Sequence, residues 1–579
     1  MRTLFIYVIL SLWLYALPQF INEEIRKSGI PKKDISIYIK EAGKNGKVVA
    51  SLNASKSRTP ASVIKVLTTY ASVLKLGFDY RWPTNFYTTG TLQNGILQGD
   101  LLIKGFGDPT LNAKDLEEIV TQIRAEGIRQ IRGDIVIDRS YFKVGNKDSS
   151  GFDENLYSAY NAMPDAMMFN ERIVTVCVNP KENQVYRKYA DESYKVVNQL
   201  KRVNQPCRGK YSWPRVKIDK SEAIPTVFLQ GQISKQCGLR NICQVITKPY
   251  KSFYYALKDR LRQEGVPVSG HLQLHKIPNG AKGLFTHYSE PLEKIISETA
   301  KESNNLYARH LLLLLGAKLY GAPATMKKGR DAVRYILDSR GALGEGTLSI
   351  DNGSGLSRTA KINAKLLGQM YDDAYDRYGS RWMETLSIAG VDGTIKRRFR
   401  NTVVTKRAWM KTGTLRRVKN IGGYVKNRAG KFYTVVIIIN SSKAKYRGAI
   451  LQDEIMKWLV KTTVKPGMST PAPSSLKTVK PKKPVSEKLF GHVKTKAVPT
   501  MKHPKKERTV QYYIQVGSFS SMPNKDYLSK ISALGLRYTV RHADNYKVLI
   551  GAYKDEKSAR EVLQKVRRDI NGGAFIVKL

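Results

Sequence analysis

The sequence predicts a chain of several domains: a large mixed α/β region over residues 25–462 and a small β-α-β-β-α-β domain over residues 509–579. Its 579 residues exceed the size at which one hydrophobic core stops growing, about 250 to 300 residues. Residues 463–508, between the two regions, scatter prolines among lysines and contain few large apolar side chains. Such a composition cannot bury a core and predicts an extended linker.

The N-terminus carries an apolar run from Leu4 to Leu17 that follows Arg2 and ends at Pro18. Its length suits the apolar core of a secretory signal and is shorter than the roughly 20 residues that span a membrane. We therefore expect residues 1–18 to be a signal peptide, or an N-terminal anchor if they are not cleaved, and the protein to be exported.

The chain is strongly basic, with 98 Lys and Arg against 48 Asp and Glu and a formal net charge of +50. Such a charge would attract nucleic acid, an anionic membrane or an acidic cell-wall polymer. Solvated lysine-rich surfaces are an equally good explanation, so charge alone does not choose a partner.

The chain has four cysteines, Cys177, Cys207, Cys237 and Cys243. In an oxidising compartment they can form up to two disulfides, in any of three pairings. No pair has C-x-x-C spacing and no histidine cluster lies nearby, so a disulfide or buried thiols are favoured over a metal site. We expect neither a metal nor an organic cofactor.

A serine and a lysine three residues apart open the first long helix of the large region. Two strand-like runs between residues 35 and 52 predict a hairpin, and the segment from Thr59 to Lys65 leads into an apolar helical pattern. Ser62 and Lys65 would share one face of the first turn, which places an amine beside a hydroxyl. A helix cap and a solvated lysine are the ordinary alternative, because Ser442 and Lys445 have the same spacing.

Two later motifs favour a catalytic role for Ser62 and Lys65 over a helix cap. Ser303-Asn304-Asn305 lies in a helical pattern, and Lys411-Thr412-Gly413-Thr414 lies in a strand-like run that begins at Trp409. Each motif alone is compatible with polar residues on an ordinary helix or strand. Together and in this order, S-x-x-K, S-x-N and K-T-G mark penicillin-binding proteins and class A β-lactamases.

Each motif has a chemical use. Lys65 is a base only when neutral, so its pKa must fall, and burial beside a cation such as Lys411 would lower it. Ser303 can relay a proton to the leaving amine, and the Asn305 amide can orient Lys65 and hold the substrate backbone.

The strand residues Thr412, Gly413 and Thr414 are predicted to bind substrate. Gly413 permits close approach of a backbone, and a peptide can add alongside this strand through main-chain hydrogen bonds. The backbone N–H groups of Ser62 and Thr414 are the natural donors to an oxyanion.

On these motifs the chain resembles the D-alanyl-D-alanine carboxypeptidase/endopeptidase family of low-molecular-mass penicillin-binding proteins, peptidase family S13 of the class C type. The resemblance covers roughly residues 35 to 460 and includes Gly105 to Leu111 and Asp351 to Arg358. The long interval between Lys65 and Ser303 also fits, because that family carries inserted domains there, here within about residues 80–285.

The resemblance implies a penicillin-binding-protein/β-lactamase-like transpeptidase fold in which Ser62 is acylated, Lys65 is its base, and Ser303, Asn305 and Lys411 complete the centre. It implies peptidoglycan stem peptides as substrates, β-lactams as inhibitors and a periplasmic location, with attachment to the inner membrane if the leader is retained. Preference for the terminal bond or the cross-link, residual β-lactamase rate and oligomeric state are left open.

Two residues bear on the side chain of the stem peptide. Arg358 matches an arginine that some family members use to hold a carboxylate, and its ordinary alternative is a surface salt bridge. Asn155 falls where some members place an aspartate that binds the amine of diaminopimelate. An amide binds that amine less strongly, so side-chain specificity is left open.

The last seventy residues read as strand, helix, two strands, helix and strand, the ferredoxin-like pattern. The runs Tyr513 to Phe519 and Lys547 to Tyr553 resemble the SPOR domain, an envelope module that binds glycan strands lacking stem peptides. Gln515 and Ser518, on the first strand, are the candidate glycan-binding residues, and solvent-facing strand residues are the ordinary alternative.

Three alternatives need weighing. An RNA-recognition domain shares the tail topology, but the run Lys547 to Tyr553 lacks its aromatic signature and export argues against nucleic acid. A binding protein with an inactive enzyme fold should lack a motif, and none is lost. β-Lactamase activity differs only in the rate at which the acyl-enzyme is hydrolysed, which no motif reveals.

Overall fold

The computed structural model describes residues 17–343, 346, 348–462, 512–519, 523, 525–536, 538–542, 546–553, 555–571 and 574–578. The predicted linker and all of the predicted leader except Leu17 and Pro18 lie outside the described residues. The chain divides into two units, Met1–Gly467 and Met468–Leu579, and each is described by itself.

The helices of the described residues are α1 (Gln19–Ser28), α2 (Lys65–Leu76), α3 (Asp115–Ala125), α4 (Pro249–Gln263), α5 (Leu292–Lys301), α6 (Asn305–Tyr320), α7 (Met326–Ser339), α8 (Ala364–Met383), α9 (Ala449–Lys461), α10 (Lys525–Ala533) and α11 (Glu556–Asp569).

The strands of the first unit are β1 (Ile35–Glu41), β2 (Val48–Leu52), β3 (Pro83–Thr88), β4 (Thr91–Gln93), β5 (Ile96–Gln98), β6 (Leu101–Gly105), β7 (Gln130–Ile131), β8 (Ile135–Asp138), β9 (Val174–Asn179), β10 (Gln184–Arg187), β11 (Lys195–Val203), β12 (Arg215–Asp219), β13 (Thr226–Ser234), β14 (Arg240–Gln244), β15 (Leu272–Gln273), β16 (Lys282–Tyr288), β17 (Ser387–Ile388), β18 (Ala408–Leu415), β19 (Val418–Lys426) and β20 (Phe432–Asn440). Those of the second unit are β21 (Tyr512–Phe519), β22 (Tyr538–His542), β23 (Tyr546–Tyr553) and β24 (Phe575–Lys578).

The central sheet has six strands in the order β17-β18-β19-β20-β1-β2, and the predicted hairpin of β1 and β2 forms one edge. Both of its faces are buried. Successive strand residues face opposite sides, so Val435, Ile437 and Ile439 pack with α1 and α9, whereas Val436 and Ile438 face the core built around α2, α6 and α8. Burial on both faces explains why β20 is apolar without a break from Val435 to Ile439.

The chain between α2 and α5 forms sheets of its own. A five-stranded sheet, β15-β8-β6-β3-β16, packs with α3 and α4 around one core. The three-stranded sheets β10-β9-β14 and β11-β13-β12 enclose another. A further small sheet has the order β4-β5-β7.

The cysteines form one disulfide, not two. Cys207 is bonded to Cys237, which closes a loop with a sequence separation of 30 residues beside the second inserted core. Cys177 is a buried thiol on β9 and Cys243 is an exposed thiol on β14. A register that places Cys177 opposite Asn241, and Cys243 opposite Thr175, keeps these thiols from facing each other.

Helices α2 and α6 carry the site. Every residue of α6 from Asn305 to Ala317 is buried, as expected for a helix that is apolar on all sides. Asn304 caps its N-terminus by accepting a hydrogen bond from the Tyr307 N–H at 3.1 Å. Helix α2 is buried from Lys65 to Leu74, so both helices are fixed in the core.

The second unit confirms the predicted βαββαβ order, with strands arranged β22-β23-β21-β24. Ile514 and Val516 of β21 pack with Val548 and Ile550 of β23 and with the two helices in a core of its own. This is the strand order of a ferredoxin-like domain.

Candidate active site

Ser62 and Lys65 meet as predicted. Ser62 lies in a 3₁₀ turn, Ala61–Ile64, directly before α2, and its hydroxyl caps no backbone group of the helix. The Lys65 Nζ lies 2.9 Å from the Ser62 Oγ, 2.6 Å from the Asn305 Oδ1 and 2.5 Å from the Ser354 carbonyl oxygen. The Lys65 side chain is 0% exposed.

These three contacts fit a neutral amine. In the neutral form, two N–H groups can donate to the Asn305 and Ser354 oxygens, and the lone pair can accept the proton of the Ser62 hydroxyl. Burial lowers the pKa of Lys65 well below its ordinary value, and the nearby cations of Lys411 and Arg309 lower it further. The arrangement therefore places a base within reach of the serine proton.

Ser303 and Lys411 form the second pair. The Lys411 Nζ donates to the Ser303 Oγ at 3.0 Å and to the Thr412 carbonyl at 2.9 Å. Burial lowers the pKa of Lys411 to about 7. The Lys411 cation in turn contributes to the lowered pKa of Lys65.

The expectation that Ser303 lies within a helix is wrong. Ser303 falls in the break between α5 and α6, and its φ of 58° is left-handed. That conformation is unusual for a residue with a side chain and is concentrated at functional positions. The break directs the Ser303 hydroxyl to Lys411 while Asn305, two residues later, reaches Lys65 from inside the helix.

The K-T-G strand lies against the Ser62 turn. A Cβ at Gly413 would stand 2.9 Å from the Pro60 carbonyl oxygen and 3.0 Å from the Ser62 nitrogen, so the backbone that approaches Gly413 is that of the Ser62 turn. Strand β17 pairs with β18 only at Trp409 and Met410. Among the described residues no strand covers the outer edge of Lys411 to Leu415, which leaves it open for a peptide.

The Ser354 carbonyl is a site group that the sequence analysis missed, although it singled out the segment around it. Gly355 has a left-handed φ of 79°, and a Cβ there would stand 2.0 Å from the Ala61 carbonyl oxygen. Glycine therefore lets the loop seat against the Ser62 turn. Thr68 of α2 donates to the Gly353 carbonyl at 3.1 Å and fixes the loop further.

Asn420 of β19 was also missed. Its buried amide Nδ2 donates to the Thr59 and Pro60 carbonyls at 3.0 and 2.7 Å, and its Oδ1 accepts from the Ile439 N–H at 3.0 Å. Asn420 thus ties the central sheet to the turn that carries Ser62.

Two residues of the inserted region, Tyr160 and Glu171, contact the start of α6 beside the site. The Asn305 Nδ2 donates to the Tyr160 carbonyl at 3.0 Å, so both the nitrogen and the oxygen of this amide are hydrogen-bonded. The Glu171 carboxylate accepts from the Asn304 amide and from the Tyr307 hydroxyl, each at 3.0 Å. Glu171 lies in a left-handed turn with φ of 51°, between Asn170 and Arg172, which are also left-handed.

Arg358 and the Asn155 loop come together. The Arg358 guanidinium lies 5.0 Å from the centre of the Phe152 ring and donates to the Phe152 carbonyl at 3.0 Å. Among the described residues Arg358 forms no ion pair, so the surface salt bridge is not what holds it. Asn155 is exposed, and its N–H donates to the Asp153 carboxylate at 3.1 Å.

In the second unit, Gln515 pairs with Leu549 and position 518 pairs with Lys547. A register shift lies between Gln515 and Gly517, and the side chain of Ser518 lies outside the described part of the structure. Gln515 is half-buried there.

Comparison with known proteins decides the family. Residues 17–462 match the model of the D-Ala-D-Ala carboxypeptidase 3 (S13) family. This chain belongs to the S13 family. Residues 509–578 match the SPOR domain, which confirms the predicted tail.

The S13 region of this chain aligns with most of the length of two relatives. The D-alanyl-D-alanine carboxypeptidase DacB of Haemophilus influenzae is 28% identical over 448 residues, which span 74% of this chain and 90% of the relative. The D-alanyl-D-alanine carboxypeptidase of Actinomadura sp. strain R39 is 28% identical over 433 residues, which span 71% and 78%.

Solved structures confirm the fold. Penicillin-binding protein 4 (dacB) of H. influenzae superposes with a TM-score of 0.65 at 24% identity, over 76% of this chain and 99% of that one. The same protein complexed with a novel β-lactam gives 0.61 at 23% identity. In the part of the chain that the structure describes, no helix is long and apolar enough to cross a membrane.

Proposed function

We propose that this chain is a serine D-alanyl-D-alanine carboxypeptidase or endopeptidase that acts on peptidoglycan stem peptides through an acyl-enzyme on Ser62. One observation carries the proposal: the buried Lys65 amine has two carbonyl acceptors and turns its remaining position to the Ser62 hydroxyl. The S13 family membership and the known activity of its named relatives support the same reaction.

Acylation begins when the Ser62 proton passes to Lys65 and the Ser62 Oγ bonds to the carbonyl carbon between the two terminal residues. The oxyanion accepts hydrogen bonds from the backbone N–H groups of Ser62 and Thr414. The C–N bond then breaks, and the amine takes a proton through Ser303, which Lys411 holds in place. Water finally hydrolyses the ester and restores Ser62.

The substrate lies along the open edge of β18. There Thr412 and Thr414 present hydroxyls, while Lys411 and Gly413 face inward. A peptide that adds to this edge makes main-chain hydrogen bonds and brings its scissile carbonyl over Ser62.

The loop that Arg358 contacts recognises the side chain of the stem peptide. Arg358 can hold a carboxylate of that side chain. Asp153, two residues before Asn155, can supply the negative charge for an amine, because its carboxylate is partly exposed. Hydrogen bonds from Tyr160 and Asn161 lower the pKa of Asp153 and keep it ionised.

The tail binds peptidoglycan and so keeps the catalytic unit close to its substrate. Gln515 and Ser518 of β21 are proposed to bind glycan strands that lack stem peptides. Binding there raises the local concentration of scissile bonds for a tethered catalytic unit. Both activities place the protein in the periplasm.

Mass analysis of muropeptides tests the function. Purified protein incubated with sacculi and with soluble pentapeptide should release D-alanine, cleave cross-linked dimers or do both, and the Ser62→Ala variant should do neither. A product pattern identical for wild type and variant, or no product from either substrate, contradicts the proposal.

A further inference from the structure

The second inserted core ends in two loops that the disulfide joins. Strands β11 and β13 run parallel and end at this place, and β12 and β14 begin there. The loops that connect them are residues 204–214 and 235–239, and the bond between Cys207 and Cys237 links one loop to the other. We call the two loops together the disulfide tip. Because they are linked, they present their side chains from one place.

The disulfide tip exposes two large apolar side chains. Trp213 is 55% exposed and Leu239 is 49% exposed. The Arg240 guanidinium lies 5.2 Å from the centre of the Trp213 ring, its Nε donates to the Ser212 carbonyl at 2.9 Å, and its Nη1 donates to the Leu239 carbonyl at 3.4 Å. One arginine therefore connects the segments that carry the two apolar side chains. Among the described tryptophans only Trp213 is exposed.

Positive charge is concentrated at the same end of the inserted sheets. Residues 193–218, which include the first loop of the disulfide tip, contain seven Lys and Arg and no Asp or Glu. Arg208, Lys210 and Arg215 are exposed. Within the part of the chain that the structure describes, none of these three forms an ion pair. Glu182, in the turn between β9 and β10, is the one carboxylate of residues 174–244 at this end.

The other carboxylates of these two sheets lie at the opposite end. Lys195, at the start of β11, pairs there with Glu222 at 3.2 Å. The remaining acidic residues at that end are Asp191, Glu192 and Asp219. The sheets are thus electrically asymmetric along their strands, and the end with the positive charge is the end with the exposed apolar side chains. An anionic partner is attracted to the disulfide tip.

We propose that the disulfide tip binds the surface of a lipid bilayer that carries anionic headgroups. Tryptophan is favoured at the level of the headgroups, where Trp213 would lie, and the shorter Leu239 enters the upper acyl layer beside it. Arg208 and Lys210 keep their charges at the lipid phosphates while their stems stay in the interface. Binding of this kind requires neither Ser62 nor the proposed reaction.

The apolar side chains favour a bilayer over an anionic sugar polymer. A sugar ring can stack on Trp213, but a glycan strand has no apolar layer that would cover Leu239. A bilayer surface supplies both the negative charge and the apolar layer. The chain would then contact a membrane through its inserted sheets as well as the wall through its tail.

Vesicle sedimentation with the full chain provides the first test. The vesicles contain either phosphatidylcholine alone or equal parts of phosphatidylcholine and phosphatidylglycerol. For the double variant Arg208→Gln with Lys210→Gln we expect the affinity for the anionic vesicles to fall about 10- to 30-fold, the effect of two basic side chains near an anionic surface. Leu239→Gln should also weaken binding, and all proteins should bind phosphatidylcholine alone weakly.

The matched control is Lys114→Gln with Arg132→Gln, which removes the same two charge types at exposed positions outside the disulfide tip. It should lower the affinity by less than about threefold, because distant exposed charges are screened. The apolar run at residues 4–17 and the lysine-rich linker are the same in all the proteins, so differences between the variants report the substituted positions. An equal fall in the control and the tip variant overturns the proposal.

Quenching by brominated acyl chains reads out the tip itself. Anionic vesicles that contain brominated phosphatidylglycerol should quench part of the tryptophan emission of the wild type, and Trp213→Phe should lose that part while it binds the vesicles. Circular dichroism checks that each variant is folded. Equal quenching in Trp213→Phe and wild type contradicts a bilayer contact at the tip. A tip variant that keeps its affinity for anionic vesicles but loses binding to sacculi assigns the surface to the wall polymer instead.

Discussion

The candidate active site and the sheet of the tail differ in the burial of their positive charges. The catalytic unit buries Lys65 and Lys411 completely, and among the described residues neither forms an ion pair with a carboxylate. The tail keeps cations such as Arg541 and Lys547 exposed on its sheet. Burial without an anion makes a lysine reactive, whereas exposure leaves it an ordinary charge that can only attract and bind.

The units also differ in how their sites are assembled. Lys65 contacts Asn305 and Ser354 across 240 and 289 residues of sequence, so the catalytic site exists only when the whole unit is folded. Positions 515 and 518 of the tail lie on one strand. Substitutions at the catalytic site should therefore change rates, and changes in the tail should alter binding alone.

The largest expected effect follows from loss of a buried lysine. Lys65→Met removes the base and Lys411→Met removes the cation beside Ser303, and each should slow acylation by a fluorescent penicillin by about 100-fold or more. Lys445→Met is the control, because Lys445 repeats the S-x-x-K spacing with Ser442 but is exposed. Wild-type rates in both site variants would remove the assigned roles.

A smaller effect is expected at Glu171. Glu171→Gln weakens the hold on Asn304 and Tyr307 at the start of α6 and so loosens the break that positions Ser303. We expect acylation to slow by about tenfold while the unfolding free energy changes by about 1 kcal/mol. Glu182→Gln, at an exposed position, should change neither quantity. Slower acylation matched by wholesale unfolding would mean that Glu171 serves stability alone.

The pH dependence should shift when a neighbouring cation is removed. The Arg309 cation lowers the pKa of Lys65, so in Arg309→Met that pKa rises and less neutral Lys65 is present at a given acidic pH. The acid limb of acylation should then move to higher pH. Arg132→Met, in the inserted sheets, should leave the limb in place. A shift to lower pH contradicts the assignment of Lys65 as the base.

Removal of the tail should have the smallest effect on chemistry. Deletion of residues 509–579 should leave penicillin acylation unchanged and weaken binding to sacculi several-fold. The comparison needs raised salt, because exposed lysines bind an anionic wall non-specifically. Sacculi stripped of stem peptides should bind the full chain better than untreated sacculi, and equal binding of the deleted and full chains would remove the glycan-binding assignment.

The sequence predicted the features that depend on residues close together in the chain. Ser62 and Lys65 share one turn, Lys411 lies on a strand, and the tail has the predicted order of elements, because each of these follows from local periodicity. The order of the three motifs also identified the family.

What escaped prediction depends on the tertiary fold. The helical pattern around Ser303 concealed a left-handed residue, since apolar spacing does not report a break of one residue between helices. The Ser354 carbonyl contributes a backbone atom, which no side-chain motif encodes. Asn420 and Glu171 act on segments more than one hundred residues away, and the spacing of the four cysteines did not decide that Cys207 bonds to Cys237.

Covalent labelling tests the central claim most directly. A β-lactam presents a strained amide to the same nucleophile, so the full chain treated with a penicillin should carry one adduct on the peptide that contains Ser62. Ser62→Ala should carry none. Labelling of the variant at the wild-type rate, or an adduct on a different residue, would contradict the account.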